Sequence, residues 1–366
     1  MNTVFLTTIT ISLIASFLAL LLSIANKTIA NYGEKTVTIN DEKDLIVTGG
    51  ETLLSSLIEN EVFIPSACGG KGSCGYCKVK VLEGGGNILA TEKGYVSPDE
   101  EKEGIRLSCQ LKVKEDLKIE IPKELLSVKQ FNVSVDMMAD VTSTIKHLRL
   151  GFAKDDEISF SPGQYVQILT PKYKGNKEEV YRAYSIASSP HIKNSIELLI
   201  GYVENGVCTT YIHNYLKTDD KLTIIGPFGD FYYHDGTNEM IMVAIGTGMA
   251  PILSILDHMV NEKIDRPVKF FFSARTRDEL FLLDKIEMYK EKLPNFQFIC
   301  SLSRCKDPSS WEGDLGRVTD TIEKYIENGL DKEAYLCGNP KMINSVVEKL
   351  LSKGLSEDLI FYDKFE

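Results

Sequence analysis

Four cysteines have a spacing that suits the binding of iron. Cys68, Cys74 and Cys77 lie close together on a loop that also contains four glycines, and Cys109 follows further along the chain. Four thiolates are the ligand set of a [2Fe-2S] cluster, and glycines allow the backbone to curl tightly around it. A four-cysteine zinc site is the alternative, but such sites usually consist of two short Cys-x-x-Cys hooks. The spacing therefore favours an iron-sulfur cluster on Cys68, Cys74, Cys77 and Cys109.

Two further runs of residues suit the binding of FAD. The run that begins at Arg182 resembles the Arg-x-Tyr-Ser motif of the ferredoxin-reductase superfamily, in which the arginine neutralises the pyrophosphate and the tyrosine and serine contact the isoalloxazine ring. The run that begins at Gly206 opens a predicted helix and matches that superfamily's phosphate-binding signature. Gly226-Pro-Phe-Gly follows in the expected order, although each run alone could be a strand or a turn. The candidate FAD-binding residues are Arg182, Ala183, Tyr184, Ser185, Gly206, Val207, Cys208 and Thr209.

A third group of residues suits the binding of a nicotinamide nucleotide. A predicted strand that ends at Ile245 leads directly into a glycine-rich turn and a helix, so a pyrophosphate can approach backbone N–H groups there. In the superfamily a Cys-Gly pair like the one at Cys337 lies beside the nicotinamide; a small core residue is the alternative. Arg275 ends another strand and could meet the adenosine ribose, as could Ser303 with Arg304. The candidate residues are Gly246, Thr247, Gly248, Met249, Pro251, Arg275, Cys337 and Gly338.

The patterning of the chain predicts a multidomain protein whose segments position these groups. Residues 31–127 contain short strands and a helix from Thr52 to Glu59, which is typical of a β-grasp [2Fe-2S] ferredoxin domain. Residues 128–236 contain many short strands separated by turns, which predicts an antiparallel β-barrel as the FAD-binding domain. Residues 237–366 alternate strands and helices, which predicts an α/β nucleotide-binding domain with a parallel, doubly wound sheet.

The N-terminal segment, residues 1–30, is predicted to be a transmembrane anchor. Val4 to Ile24 contains no charged side chain and is long enough for a helix to cross the membrane. A secretory signal peptide is the alternative, but no lysine or arginine precedes the apolar stretch and no clear cleavage site follows it. Lys27 and Lys35 follow the span, so the positive-inside rule predicts a single-pass protein of the cytoplasmic membrane with its catalytic domains in the cytoplasm.

Charge and cysteine usage narrow the classes of partner. The chain carries a net charge of -11 and has a sequence pI of about 5.2, which disfavours a nucleic-acid partner. In a reducing compartment cysteines act as ligands or core residues before they form disulfides. Cys300 and Cys305 belong to no motif and are interpreted as packing residues, and Cys208 is expected to contact the flavin through its backbone.

With these motifs in order, the chain resembles the F subunits of sodium-translocating NADH:quinone reductases. The resemblance rests on the apolar N-terminal segment, the Cys-x5-Cys-x2-Cys spacing, the Gly-Pro-Phe-Gly and Gly-Met-Ala-Pro runs, and a terminal aromatic segment. In that family an aromatic side chain near the C-terminus covers the flavin, which makes Phe365 the candidate here. The resemblance thus implies that Cys337, Phe365 and Ser185 are the catalytic residues.

The resemblance also implies an order of electron transfer. NADH would give a hydride to FAD, and single electrons would pass to the cluster, to integral membrane subunits of a respiratory complex and finally to quinone. NADH is favoured over NADPH by the family alone. Residues 171–180 form a shorter stretch than the insertion that the family carries there, so the sequence leaves open whether the chain belongs to a sodium-pumping complex. The alternatives are a reductase that feeds an oxygenase and an electron-transfer module without turnover.

Overall fold

The computed structural model describes residues 10–19, 32–66 and 68–365 of the chain. These divide into two compact units, Met1–Ser127 and Val128–Glu366. Residues 10–19 form helix α1, and its side chains are exposed. This helix covers only part of the apolar span Val4 to Ile24 that was predicted to be the anchor, and the rest of that span lies outside the described residues. Within the described part of the chain no helix is both long and apolar enough to cross a membrane.

The first unit contains a five-stranded mixed sheet packed against a short helix. Strand β1 pairs in parallel with β5 at the centre, and the other neighbours are antiparallel, in the order β2-β1-β5-β3-β4. Helix α2 begins where Thr52 accepts a hydrogen bond from the Ser55 amide, as predicted, and it buries Leu53 and Leu57 in the core. The elements are β1 (Glu34–Ile39), β2 (Lys43–Thr48), α2 (Leu53–Glu59), β3 (Lys78–Glu83), α3 (Pro98–Lys102), β4 (Ile105–Leu107) and β5 (Leu117–Glu120).

The second unit begins with the predicted antiparallel barrel. Its six strands follow the order β10-β7-β6-β11-β8-β9, and a bridge between Ile186 and Leu198 joins the two ends of the sheet. Alternating apolar side chains such as Val133 and Leu148 fill the interior. The elements are β6 (Lys129–Asp140), β7 (Ile145–Phe152), β8 (Tyr165–Thr170), β9 (Val180–Ser185), β10 (Ser195–Gly201), α4 (Val207–Asn214) and β11 (Lys221–Phe228).

The remainder of this unit is a six-stranded sheet in which every paired strand is parallel. The strand order β15-β14-β13-β12-β16-β17 reverses direction between β12 and β16, which confirms the predicted doubly wound sheet. The elements are β12 (Glu239–Ala244), α5 (Met249–Glu262), β13 (Val268–Ala274), α6 (Leu283–Lys292), β14 (Phe296–Leu302), β15 (Asp314–Leu315), α7 (Val318–Tyr325), β16 (Lys332–Gly338), α8 (Pro340–Ser352) and β17 (Ile360–Lys364).

The barrel and the parallel sheet share one hydrophobic core. Ile145 and Leu199 of the barrel belong to the same cluster of buried side chains as Met242 and Leu256 of the sheet and helix α5. Burial of apolar surface between the two halves stabilises them as one body. Residues at the end of a barrel strand can therefore meet residues at the carboxyl edge of the sheet.

Candidate functional site

The four cysteines of the first unit come together in two pairs. The thiol of Cys74 is hydrogen-bonded to Cys68, and the thiol of Cys77 is hydrogen-bonded to Cys109. Cys77 and Cys109 are buried, while Cys68 and Cys74 are partly exposed. The loop from α2 to β3 supplies three of these thiols, and the segment after β4 supplies the fourth. Two adjacent pairs of thiols match a centre in which each of two iron ions takes two cysteine ligands.

One thiol of each pair is prepared to lose its proton. The hydrogen bond from Cys74 lowers the pKa of Cys68 to about 4, and the one from Cys77 lowers the pKa of Cys109 to about 7. The pKa values of Cys74 and Cys77 are raised in return, because each donates its proton to its partner and because burial disfavours the thiolate. The thiolate is the form of cysteine that binds metals, so the donor chemistry fits an iron-sulfur cluster.

The backbone of the cysteine loop requires its glycines. Gly69, Gly70, Gly72 and Gly75 all have φ between 66 and 82°, a region that residues with a Cβ rarely adopt. The Ser66 hydroxyl accepts a hydrogen bond from the Gly70 amide at 2.9 Å. These features hold the loop in a curled conformation that brings its thiols to one side, so the residues present fit the cluster.

A buried ion pair, which the sequence patterns did not reveal, stabilises the segment that leads to Cys109. Arg106 and Glu92 approach to 2.7 Å with almost no solvent exposure, and Glu92 also accepts a hydrogen bond from the Leu107 amide. Burial raises the pKa of Glu92, but the hydrogen bonds from Arg106 and from the Leu89 and Leu107 amides together outweigh it and lower the pKa overall. The pair fixes the strand that leads to Cys109, and removal of one partner leaves a buried charge uncompensated.

The Arg-x-Tyr-Ser run lies on β9 at the end of the barrel sheet. Arg182 is partly buried, and one guanidinium nitrogen donates to the Tyr181 carbonyl at 2.7 Å. The ring of Tyr184 packs against the barrel core, and its hydroxyl is hydrogen-bonded to the thiol of Cys208. Burial raises the pKa of Tyr184, so its phenol stays neutral. Cys208 thus anchors the aromatic ring from inside the barrel, a contact that the motif alone did not indicate.

Helix α4 presents a free N-terminus beside this strand. Its N-cap is Gly206, and no side chain among the described residues caps its first turn. The Thr209 hydroxyl accepts from the Val203 amide and donates to the Val203 carbonyl, each at 3.2 Å, so it shapes the loop before the helix. Uncapped N–H groups together with the helix dipole attract phosphate, and this arrangement fits the pyrophosphate of FAD.

The glycine-rich turn after β12 packs directly on the end of β16. A Cβ on Gly248 would collide with the backbone of Cys337, whereas Gly246, with φ of 52°, has open space around it in the described part of the chain. The side chain of Thr247 lies against Gly201 of the barrel. Met249 and Pro251 are buried at the start of α5. The turn therefore presents its backbone, rather than these side chains, at the carboxyl edge of the sheet.

Residues from both halves of the second unit converge at this edge. Ser185 of the barrel donates a hydrogen bond to Asp363 of β17 at 3.4 Å. The register of β16 and β17 places Asp363 opposite Cys337, and the Phe365 amide donates to the Gly338 carbonyl at 2.9 Å. The structure thus brings together the three candidate catalytic residues, Ser185, Cys337 and Phe365, from three separate strands or strand ends.

Asp363 is the residue at this edge that the sequence patterns missed. Burial raises the pKa of its carboxyl group to about 6, although the Ser185 hydroxyl acts in the opposite direction. Burial likewise raises the pKa of the Cys337 thiol, which keeps that side chain protonated. The sequence offered one signal for this residue, namely an aspartate among the aromatic residues of the C-terminal segment. Its titration close to neutral pH makes it suited to hold or transfer a proton.

Arg275, the candidate for the adenosine ribose, lies exposed beyond the end of β13. Its side chain pairs with Glu279 at 2.6 Å, and its carbonyl accepts a hydrogen bond from the Arg304 amide at 2.8 Å. The two arginines are therefore neighbours at the carboxyl ends of β13 and β14, on the same edge as the glycine-rich turn. That edge is where nucleotides bind in open α/β sheets.

Three family models match the chain in the order of its domains. A 2Fe-2S iron-sulfur cluster binding domain covers residues 37–114, an oxidoreductase FAD-binding domain covers 132–233 and an oxidoreductase NAD-binding domain covers 242–348. With the thiol pairs and the convergent edge, these matches define the class as an oxidoreductase that uses NAD, FAD and a [2Fe-2S] cluster.

Full-length relatives narrow that class to one family. The F subunit of the Na(+)-translocating NADH-quinone reductase of Neisseria gonorrhoeae is 35% identical over 388 residues, which cover 95% of this chain and 96% of the relative. The equivalent F subunit of Marinomonas sp. is 32% identical over 405 residues, which cover 100% of this chain and 98% of the relative. The chain belongs to the family of F subunits of Na(+)-translocating NADH-quinone reductases. The predicted resemblance is thereby confirmed.

Solved structures share the fold of the chain. The cytochrome P450 reductase GcoB from Amycolatopsis superposes with a TM-score of 0.75 at 25% identity and covers 90% of this chain and 98% of its own. A ferredoxin reductase in carbazole 1,9a-dioxygenase gives a TM-score of 0.70 at 25% identity and covers 91% and 99%. The fold of this chain thus also occurs in a cytochrome P450 reductase and in a ferredoxin reductase of a dioxygenase.

Proposed function

We propose that this chain is the NADH-oxidising subunit of a membrane respiratory complex that reduces quinone. The observation that carries the proposal is the convergence of Ser185 from the barrel with Cys337 and Asp363 from the parallel sheet. A flavin on the barrel and a nicotinamide on the sheet edge both need residues at that point. When bound, FAD accepts the two electrons of a hydride and the [2Fe-2S] cluster accepts electrons singly, so together they connect a two-electron donor to one-electron acceptors.

The residues of the second unit bind and orient the two nucleotides. Arg182 and the N-terminus of α4 neutralise the FAD pyrophosphate, and Tyr184, held by Cys208, supports the isoalloxazine ring. The backbone of Gly246 and Gly248 receives the pyrophosphate of NADH. Cys337 would position the nicotinamide, and Phe365 would lie over the flavin. Cys337 is buried, and its burial would limit the access of water to a bound nicotinamide.

Ser185 and Asp363 bind and transfer the proton that accompanies the electrons. The Ser185 hydroxyl lies on the barrel strand that carries the flavin motif, and its proton points to the Asp363 carboxylate. A carboxyl group whose pKa is raised to about 6 by burial can gain or lose a proton near neutral pH. We assign Ser185 as the hydrogen-bonding contact to the flavin and Asp363 as the residue that holds the proton behind it.

The first unit supplies the exit for single electrons. The cluster is held by the four thiolates, one pair on each iron, of Cys68, Cys74, Cys77 and Cys109.

The apolar segment Val4 to Ile24 anchors the chain in the cytoplasmic membrane beside integral partner subunits. Protein that lacks residues 1–31 should therefore appear in the soluble fraction of lysed cells while keeping its NADH oxidation. Sedimentation of the shortened protein with washed membranes would contradict the anchor.

Oxidation of NADH by ferricyanide tests the enzymatic role. Protein loaded with FAD should reduce ferricyanide with NADH, and the kcat/KM for NADH should exceed that for NADPH. Ser185→Ala should lower that rate while Ser188→Ala, a buried serine further from the motif, should not. Absence of turnover with either nucleotide would contradict the enzymatic role and favour an electron-transfer module. A preference for NADPH would contradict the assignment of NADH as the donor.

The structural similarity to oxygenase reductases supports one other acceptor. A reductase that feeds a soluble hydroxylase would have the same domains and the same order. Purification of the chain from its native membranes separates the two functions. Copurification with integral membrane subunits and quinone reductase activity support the respiratory role, whereas a soluble chain that reduces a hydroxylase supports the other.

A further inference from the structure

His191, His258 and Glu262 form a cluster of metal-binding side chains outside the flavin and nucleotide sites. One ligand atom from each residue lies within 4.8 Å of the other two, and His191 Nε2 is 3.1 Å from Glu262 Oε1. His258 and Glu262 are four residues apart on α5, so they face the same side of that helix. His191 comes from the barrel segment between β9 and β10.

The donor set suits zinc. Two imidazole nitrogens and one carboxylate are a known ligand combination for Zn²⁺, with a fourth position left for water. Metal–ligand distances of about 2.1 Å place tetrahedral donors about 3.4 Å apart, so donor atoms that lie up to 4.8 Å apart must move closer by up to about 1.4 Å. The two histidine rings are stacked, so one of them must also rotate for both nitrogens to face the same ion.

His258 has a nitrogen that the rest of the protein does not use. Its Nδ1 atom is buried and lacks a hydrogen-bond partner among the described residues, which is an uncommon and costly state for a polar atom. Its ring is wedged between those of His191, 5.8 Å away, and Tyr233, 5.3 Å away.

The surroundings of the cluster already join the barrel to α5. Ser254 donates a hydrogen bond to the Ser188 carbonyl at 2.8 Å, and the Asn261 side chain donates to the Ser189 hydroxyl at 2.9 Å. These contacts hold the His191 segment over the helix before any ion binds. We propose that His191, His258 and Glu262 bind a divalent transition-metal ion of the zinc type, which fastens the flavin barrel to the nucleotide-binding domain.

Zinc binding to the intact protein tests the site. Full-length protein with FAD and a complete iron-sulfur cluster is dialysed against Zn²⁺, and zinc is measured by mass spectrometry. Wild type should bind one zinc ion per chain that His191→Gln and His258→Gln lose, with affinity lowered at least about tenfold. Glu262 is exposed, so Glu262→Gln keeps the fold and must show the same loss. Glu291→Gln, an exposed glutamate on α6, is the matched control and should bind as wild type does.

A second readout tests the role of the ion as a clamp. Zinc that binds only the folded state should raise the midpoint of thermal unfolding of wild type and of Glu291→Gln, but not of Glu262→Gln. Equal zinc content in wild type and Glu262→Gln would overturn the site. Loss of the zinc ion in Glu262→Gln without any zinc-dependent shift in wild type would overturn the clamp.

Discussion

The cysteine loop and the convergent edge of the second unit are built in opposite ways. Three of the four thiols come from one short loop, and four glycines with positive φ set its shape. At the convergent edge, Ser185 and Asp363 are 178 positions apart in sequence and meet only because β9, β16 and β17 end together. The loop depends on local backbone conformation, whereas the edge depends on the packing of two domains. Substitutions should therefore act on one site without affecting the other.

Loss of one cluster ligand is the strongest test of that separation. Cys77→Ser removes a buried thiol that is hydrogen-bonded to Cys109. Because a complete set of four thiolates is needed, the EPR signal of the reduced cluster should vanish and quinone reduction should fall roughly 100-fold or more. Ferricyanide reduction by NADH should stay within about twofold, since it depends on the second unit alone. Cys305→Ser is the control and should retain the signal; equal losses in both variants would contradict the ligand set.

Replacement of Asp363 tests the convergent edge. Asp363→Asn keeps an oxygen that can accept the hydrogen bond from Ser185 but removes the carboxyl group that can bind a proton, so ferricyanide reduction should fall about 100-fold with the EPR signal of the cluster unchanged. The wild-type rate should change as Asp363 titrates near pH 6, and this inflection should be absent from the variant. Asp358→Asn, on the exposed turn before β17, is the control. An unchanged pH profile in Asp363→Asn would remove Asp363 from the proton path.

The same substitution should stabilise the folded protein. The pKa of Asp363 rises on folding from an ordinary value of 3.8 to about 6, so ionisation is disfavoured in the folded state. The resulting cost is absent below pH 3.8, grows as the pH rises and is complete above pH 6, where it amounts to about 3 kcal/mol. At pH 8 Asp363→Asn should therefore unfold at a higher temperature than wild type, and near pH 4 the two should converge. A lower midpoint at pH 8 would contradict the burial of the carboxylate.

Substitutions of two glycines in the glycine-rich turn distinguish the effect of close packing from the effect of backbone conformation. In Gly248→Ala the new methyl group would press against the Cys337 backbone, so the turn must move and the KM for NADH should rise about tenfold or more. Gly246→Ala meets open space and strains only its φ of 52°, which costs about 1 kcal/mol. Steady-state kinetics should thus show a larger KM for Gly248→Ala. The reverse order would place the nucleotide elsewhere on the edge.

Neutralisation of Arg182 should have the mildest effect. Arg182→Gln removes the charge next to the FAD pyrophosphate but keeps the hydrogen-bonding capacity of the side chain, so the Kd for FAD should rise about tenfold. Fluorescence titration of flavin-depleted protein measures that constant. Arg149→Gln, which breaks a barrel ion pair with Glu197 instead, should leave the Kd within about twofold. Equal affinities for FAD in wild type and Arg182→Gln would contradict the pyrophosphate site.

The difference between the two sites also explains what the sequence could predict. The four cysteines, the barrel and the parallel sheet have local signatures in spacing and periodicity. The structure contains the barrel and the parallel sheet where they were expected, and it brings the four thiols together in two pairs. Helix α6, however, begins only at Leu283, directly after Leu282, which adopts a left-handed conformation with φ of 53°. No periodic pattern indicates such a residue.

Contacts between distant residues carried no sequence signal. The pairing of Asp363 with Ser185, the bond between Tyr184 and Cys208, and the buried pair of Glu92 and Arg106 depend on how strands and domains pack. A motif names the residue type that a ligand needs, but it does not name the neighbour that sets its pKa or its orientation. Those neighbours became visible only in three dimensions.

Anaerobic stopped-flow spectroscopy with NADH tests most directly that electrons enter as a hydride at the convergent edge and leave one at a time through the cysteine loop. In wild type the flavin absorbance should bleach first and the cluster absorbance should follow. In Cys77→Ser the flavin phase should persist at an unchanged rate, and in Asp363→Asn both phases should slow together. Cluster reduction that precedes or coincides with flavin reduction would contradict this order of electron transfer.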